Sequence, residues 1–162
     1  MILYHGSNVV VEAPEPGHGL RAMDFGPAFY TTSSLDQALR WARAVARRRR
    51  HGQPIVNIYQ FDEQAVASLS VQLFKSPDEA WLDFVVENRT FPQHIIPFDL
   101  VIGPIANDST IQVIDDYMLG RYTKTEAINH LLPQNLKDQY AFLSADALSH
   151  LHFREYEIDE YA

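Results

Sequence analysis

Gly26-Pro27 is the point that most constrains this chain, because no helix can run through it. Proline fixes its own φ and lacks an N–H, and it pushes the residue before it out of the helical region. The turn Asp24-Phe25-Gly26-Pro27 therefore feeds a strand, Ala28-Phe29-Tyr30-Thr31-Thr32, made of aromatic and β-branched residues. Upstream, Leu3-Tyr4-His5-Gly6-Ser7 is a second short apolar strand that ends on a histidine and a glycine. We read the two strands as lying side by side and framing a pocket for a flat, positively charged ring.

The rest of the chain alternates unevenly between helix and strand signals. Met1 to Tyr4 is strand-like, and Val9, Val10 and Val11 extend it or begin another strand. Glu12 to Gly19 is a proline- and glycine-rich loop. Ser34-Leu35-Asp36-Gln37 predicts a capping box, followed by an apolar stripe of Leu35, Ala38, Leu39, Ala42, Val45 and Ala46 with Trp41 at its edge. Arg47–Arg50 and His51 end that helix, with Gly52 as its C-terminal cap. Ile55 to Phe61 is a strand, with Ile55, Asn57, Tyr59 and Phe61 on one face and Val56 and Ile58 on the other. Val71 to Phe74 is a further short strand. Ser76-Pro77-Asp78-Glu79 reads as a second capping box, placing Trp81, Phe84, Val85 and Asn88 on one helical face. Leu100 to Ile105 is a buried-type strand broken at Gly103-Pro104. Thr110 to Leu119 and Thr123 to Leu132 are helices, Gln139 to Leu143 a strand, Ser144 to Leu151 a short capped helix and Phe153 to Ile158 a last strand. Interleaved elements with uneven connections predict an α+β fold, a split β-sandwich of two small sheets with flanking helices, and residues 1–162 read as one domain.

Composition narrows the function. The formal net charge of −8 argues against general affinity for nucleic acids or anionic membranes. With no cysteine there are neither disulfides nor thiolate metal sites. His150-x-His152 lacks a third ligand nearby, so no metal is expected. No window reaches the roughly 20 apolar residues of a membrane span, and no leader segment precedes the first strand. The expected location is the cytoplasm, with delivery by a secretion system left open.

Tyr4-His5-Gly6-Ser7, Phe29-Tyr30-Thr31-Thr32 and Gln139-Tyr140-Ala141-Phe142 resemble the three signature strands of the ADP-ribosyltransferase superfamily. The clade is the one marked by a His-Tyr-Glu triad, which includes diphtheria toxin and the poly(ADP-ribose) polymerases. The chain is similar, more closely, to an uncharacterised bacterial family within it that shares the Tyr-His-Gly-Ser start, an Asp-Phe-Gly-x-x-Phe-Tyr-x-Thr stretch and a Gly-Pro-x-Ala-Asn-Asp stretch, here Gly103 to Asp108. The resemblance implies NAD bound in a cleft between two small sheets. His5 would hydrogen-bond the adenosine ribose, the Gly6 backbone would hold the nicotinamide carboxamide, and Tyr30 would stack on the nicotinamide, with Ser7, Phe25, Gly26 and Thr31 around them. Trp41 is placed to supply a second aromatic face. The third position departs from the pattern, because Gln139 stands where the clade has glutamate.

The chemistry can be followed without the family. A tyrosine face attracts the cationic nicotinamide ring by about 0.5–2 kcal/mol. The ring becomes neutral on leaving, so this attraction favours the bound ground state and does not itself accelerate the reaction. Acceleration needs a group that stabilises a positive ribose as the glycosidic bond stretches. Gln139 offers only an amide dipole for orienting a ribose hydroxyl. Slow or strictly single-unit transfer follows, unless another acid reaches the site; Asp108 is the candidate, with Asp24 behind it.

Plainer readings stand beside these. His5 and Tyr30 also suit a core, Trp41 suits packing, Gln139 suits a polar strand start and Asn107-Asp108 suits a helix cap. The leading expectation is an NAD-dependent mono-ADP-ribosyltransferase acting on a protein or nucleic acid. It would be the toxin of a toxin–antitoxin pair, with a small antitoxin protein as partner, or an effector. The alternatives are a catalytically weak module that binds NAD or ADP-ribose, and an interaction or nucleic-acid-binding protein that uses the Arg47–Arg50 helix end.

Overall fold

The structure, a computed structural model, describes residues 1–17, 23–106 and 108–160, leaving out the side chain of Asp108. It is an α+β arrangement with two small sheets. The first contains β1 (Ile2–Ser7), β3 (Ile55–Phe61) and β7 (Leu151–Ile158) in the order β1-β3-β7, all antiparallel. The second contains β2 (Phe29–Thr31), β4 (Val71–Leu73), β5 (Leu100–Pro104) and β6 (Asp138–Phe142) in the order β2-β6-β5-β4, antiparallel except for β4 beside β5. The helices are α1 (Leu35–Arg49), α2 (Glu79–Thr90), α3 (Asp108–Met118), α4 (Lys124–Leu131) and α5 (Ala145–Leu148).

Strand alternation sorts the side chains into layers. Leu3, Tyr59, Phe61 and Leu151 of the first sheet meet Phe29, Leu100 and Phe142 of the second in one shared core. Aromatic edges hold the sheets together there, with Phe61 against Phe142 at 5.4 Å and Phe29 against Tyr59 at 5.8 Å between ring centres. The opposite face of the first sheet, Val56 and Ile58, is covered by Ala38 and Ala42 of α1. The opposite face of the second, Val101 and Ala141, is covered by α2, α3 and α4 through Trp81, Val85, Ile114 and Leu131. The layers therefore run helix, sheet, sheet, helices.

Several local expectations are corrected. Val9 to Val11 form no strand, because side chains hold them instead: Val11 N–H donates to Asn57 Oδ1 (2.8 Å), and the Tyr59 hydroxyl donates to the Val11 carbonyl (2.6 Å). Gly103-Pro104 does not break its strand. Gly103 stays in β5 because a Cβ there would crowd Phe74 and Phe25, and the Pro104 carbonyl accepts from Trp81 Nε1 at 2.9 Å. The second capping box is displaced: Asp78, not Ser76, caps α2 by accepting from Trp81 N–H, so Pro77 precedes the helix. Ser34 caps α1, but only half the box forms, since Ser34 N–H donates to Thr32 Oγ1 rather than to Gln37. Arg50, with φ of 52°, closes α1 ahead of Gly52. Leu35 of the predicted stripe is exposed, and the short α5 ends at Leu148. The Thr123–Glu126 capping box has both its arms. Asn107 and positions 18 and 19 of the loop Glu12 to Gly19 lie outside the described residues.

The thin alanine face of α1 has its counterpart in Gly6. A Cβ on Gly6 would overlap the Ala38 carbonyl oxygen and lie 2.6 Å from the Ala42 nitrogen, so the helix backbone rests directly on the strand. Gly6→Ala has to push a rigid helix off a sheet, and overpacking of this kind costs about 1–3 kcal/mol. Urea unfolding should show that loss as a lower midpoint with an unchanged slope, and an unaltered midpoint would refute the close contact.

Candidate functional site

The two sheets meet edge to edge at one isolated bridge, Tyr4 with Thr32, where each N–H donates to the other's carbonyl at 2.9 Å. Because Tyr4 turns both peptide groups toward β2, the alternation of an antiparallel strand fixes its neighbours. Leu3, His5 and Ser7 bond to β3, and Gly6, like Tyr4, turns its N–H and C=O toward β2. Thr32 and Tyr30 likewise turn theirs toward β1. The next rung would join Gly6 to Tyr30, but it is replaced: His5 Nδ1 lies 2.7 Å from the Tyr30 carbonyl. The imidazole takes the place of a ladder bond and the strands part beyond it. Gly6 is a buried residue whose peptide N–H and C=O turn toward this notch, and the β1–β2 bridge does not extend to it.

A carbonyl oxygen can only accept, so His5 carries its proton on Nδ1 and Nε2 is left as a lone-pair acceptor. The ring stacks on Phe29 with centres 4.2 Å apart. Burial lowers its pKa to about 4, Arg49 adds to that, and the bond to Tyr30 opposes it. His5 is thus a neutral imidazole at physiological pH.

Tyr30 packs its half-buried ring toward the helix-covered face of the second sheet. Its hydroxyl donates to the Gly26 carbonyl (2.5 Å) and accepts from Phe25 N–H (3.2 Å), tying down the turn ahead of β2, and burial raises its pKa. Gly26 has φ of 87°, and a Cβ there would overlap the Ile96 side chain. Phe25 and Thr31 are fully buried, and Ser7 accepts weakly from Val9 N–H at 3.4 Å. Gln139 lies one residue past the last paired position of β6 with β2, across from Thr32. It faces the same side as Ala141 and Tyr30, it is buried, and its Nε2 has no hydrogen-bond partner among the described residues.

The structure therefore joins His5 to Tyr30 directly, sets Gly6 between them, and brings Gln139 to the neighbouring strand. Trp41 sits above, its Cβ 2.8 Å from where a Gly6 Cβ would stand, and it lines a cleft of about 460 Å³ with Gln37, Arg40, Arg47, Ala106 and Ile111. A separate cavity of about 600 Å³, lined by Pro27, His94, Ile96, Pro97 and Leu143, lies past the other end of β6. Asp24 is held away from the notch: its carboxylate pairs with Arg89 at 2.8 Å and its carbonyl accepts from Asn88. The side chain of Asp108 is outside the described residues. No group of three or more His, Cys, Asp or Glu among the described residues could hold a metal ion, and among them no helix is long and apolar enough to cross a membrane.

Two residues that sequence reasoning passed over organise the site. Asp138 accepts from Ser33 N–H (2.8 Å), Ser33 Oγ (2.5 Å) and Thr32 Oγ1 (3.2 Å), and so fixes the β2–α1 corner to β6. Asn57, fully buried between Val56 and Ile58, donates to the Val9 carbonyl and accepts from Val11 N–H. The polar residue inside an apolar run was the available signal for Asn57. Asp138 had none, because its partners are more than 100 residues away.

The lowered imidazole pKa gives a sign and a window. Unfolded, His5 takes a proton near its ordinary value of 6.5; folded, only near 4. Between these values the unfolded chain binds more protons, so this part of the stability is present above pH 6.5 and is lost as pH falls toward 4. In chemical denaturation, the stability gap between wild type and His5→Gln should shrink by about 3 kcal/mol from pH 7 to pH 4. A gap that does not change with pH would contradict the neutral, dehydrated ring.

No curated protein and no solved structure matches the chain. Residues 1–153 match DUF3990, described as a protein of unknown function. The match spans nearly the whole chain, and the protein belongs to the DUF3990 family.

Proposed function

We propose that the notch between β1 and β2 binds the nicotinamide end of NAD and that the protein is an NAD-dependent mono-ADP-ribosyltransferase with an ADP-ribosyltransferase-like fold. The observation that carries this reading is the edge peptide of Gly6, which turns toward β2 at the point where the His5 imidazole replaces the next rung. An open edge peptide presents an N–H and a C=O side by side, and a primary carboxamide offers a matching acceptor and donor on one flat group. The fixed tautomer of His5 adds an acceptor, Nε2, for a ribose hydroxyl. Trp41 and Tyr30 supply aromatic walls whose ring faces attract a cationic nicotinamide. Gln139 Nε2, buried without a partner among the described residues, is a donor awaiting a ligand oxygen.

The same geometry argues for slow turnover. The third position carries an amide, and the neighbouring carboxylate, Asp138, alternates to the other face of β6, where Thr32 and Ser33 hydrogen-bond it. The amide brings no negative charge to a developing oxocarbenium ion. Single-unit transfer in the cytoplasm, as an effector or as a toxin countered by a small antitoxin protein, is the biological setting this reading suits.

NAD at millimolar concentration should raise the melting temperature, as expected for a ligand selective for the folded state. It should also release nicotinamide slowly, and Gln139→Glu should accelerate release while His5→Ala removes the thermal shift. NAD-dependent stabilisation without any nicotinamide would leave a binding module. Neither stabilisation nor nicotinamide would end the NAD reading altogether.

A further inference from the structure

Six arginines, Arg40, Arg43 and Arg47–Arg50, stand on α1 and its cap against one acid, Asp36, in a chain whose formal net charge is −8. Their fates differ. Arg49 donates to Asn8 Oδ1 at 2.9 Å, and Arg50 takes the left-handed cap conformation. Arg43 is held by Asp159 at 2.5 Å. Arg40 pairs with Asp36 along the helix at 2.7 Å with both side chains about two-thirds exposed, so solvent screens the contact. Arg47 has no carboxylate partner among the described residues.

Gln37, Arg40, Trp41, Ala44 and Arg47 follow helical spacing along one face, and that face forms a wall of the cleft of about 460 Å³. Arg43, Ala106 and Ile111 also line it. The cleft thus combines a weakly engaged guanidinium, an unengaged one and an indole. Trp41 Cβ also lies 2.8 Å from where a Gly6 Cβ would stand, so the cleft begins where α1 rests on β1.

We propose that this cleft binds a single-stranded nucleic acid, with a base against Trp41 and phosphates on Arg40 and Arg47, and that the strand is the acceptor for transfer. Stacking on an aromatic side chain next to cationic groups is the general physics of single-strand binding. An acidic peptide would match the arginines but would make no use of the indole. The acceptor role rests on the NAD reading; the binding itself does not.

The test is fluorescence anisotropy of a short labelled single-stranded oligonucleotide, measured without NAD. Binding should saturate and weaken with salt with a log–log slope of about −1.4 for two phosphates. Arg47→Glu should weaken it on the order of tenfold and Arg40→Glu with Arg47→Glu further, whereas Arg48→Glu, outside the cleft, should do much less. Trp41→Ala should weaken it at every salt concentration without changing the slope. Absence of binding at low salt, equal losses from Arg47→Glu and Arg48→Glu, or full competition by polyglutamate of matched charge would each overturn the proposal. The NAD-induced thermal shift, followed in the Arg47→Glu variant, reports separately on the notch. Oligonucleotide binding without any NAD response in the wild type would keep the cleft and remove the transferase reading.

Discussion

One side-chain hydrogen bond, from His5 Nδ1 to the Tyr30 carbonyl, decides how the two sheets relate. The bridge between Tyr4 and Thr32 brings β1 and β2 into contact, and a second rung would begin to merge both sheets into one. The imidazole occupies that rung. It satisfies the Tyr30 carbonyl but offers nothing to Gly6, so the strands separate with an edge peptide left facing the gap. Phe29 fixes the ring from beneath by stacking, and Asp138 fixes the far side of the corner by holding Thr32 and Ser33. The notch is therefore held by contacts on both of its edges.

That rigidity has chemical consequences. A neutral imidazole with its proton committed to a backbone carbonyl orients a hydroxyl but gives up no proton of its own, so His5 acts by positioning. On the proposed NAD reading, aromatic side chains favour a cationic ring before it leaves. That reading also asks for charge whose attraction strengthens as the glycosidic bond stretches, and preorganised charge of this kind usually contributes more to catalysis than any other effect. Gln139 keeps the shape of a carboxylate without its charge, which is why the proposal pairs binding with slow turnover.

The sequence carried the elements well and their joins poorly. Periodicity placed β3 with Tyr59 and Phe61 on one side and Val56 and Ile58 on the other, as the core divides them. The Thr123–Glu126 box was legible because both its partners are local. Where tertiary contacts competed, local rules failed. Asp78 displaced Ser76 as a cap because it directly precedes the helical residues. Gly103-Pro104 read as a break, but an aromatic core needed the missing Cβ and Trp81 needed the carbonyl. The pairing of β1 with β2 was expected from two short motifs. The substitution of an imidazole for a rung was not, because no spacing rule encodes a side chain bonding to a strand 25 residues away.

Gly6 shows how far a motif alone can be trusted. A glycine after the histidine is what a nicotinamide site wants, yet here the fold requires it regardless, since α1 rests on that position through Ala38 and Ala42. The identity of the residue therefore does not discriminate between a packing glycine and a ligand-binding one. β1 is the edge of its sheet, so the Gly6 N–H and C=O turn outward toward β2 as every second peptide of an edge strand does. Past the imidazole no described strand covers that edge, and it is the direction of this peptide, not the histidine-glycine pair, on which the proposed carboxamide contact rests.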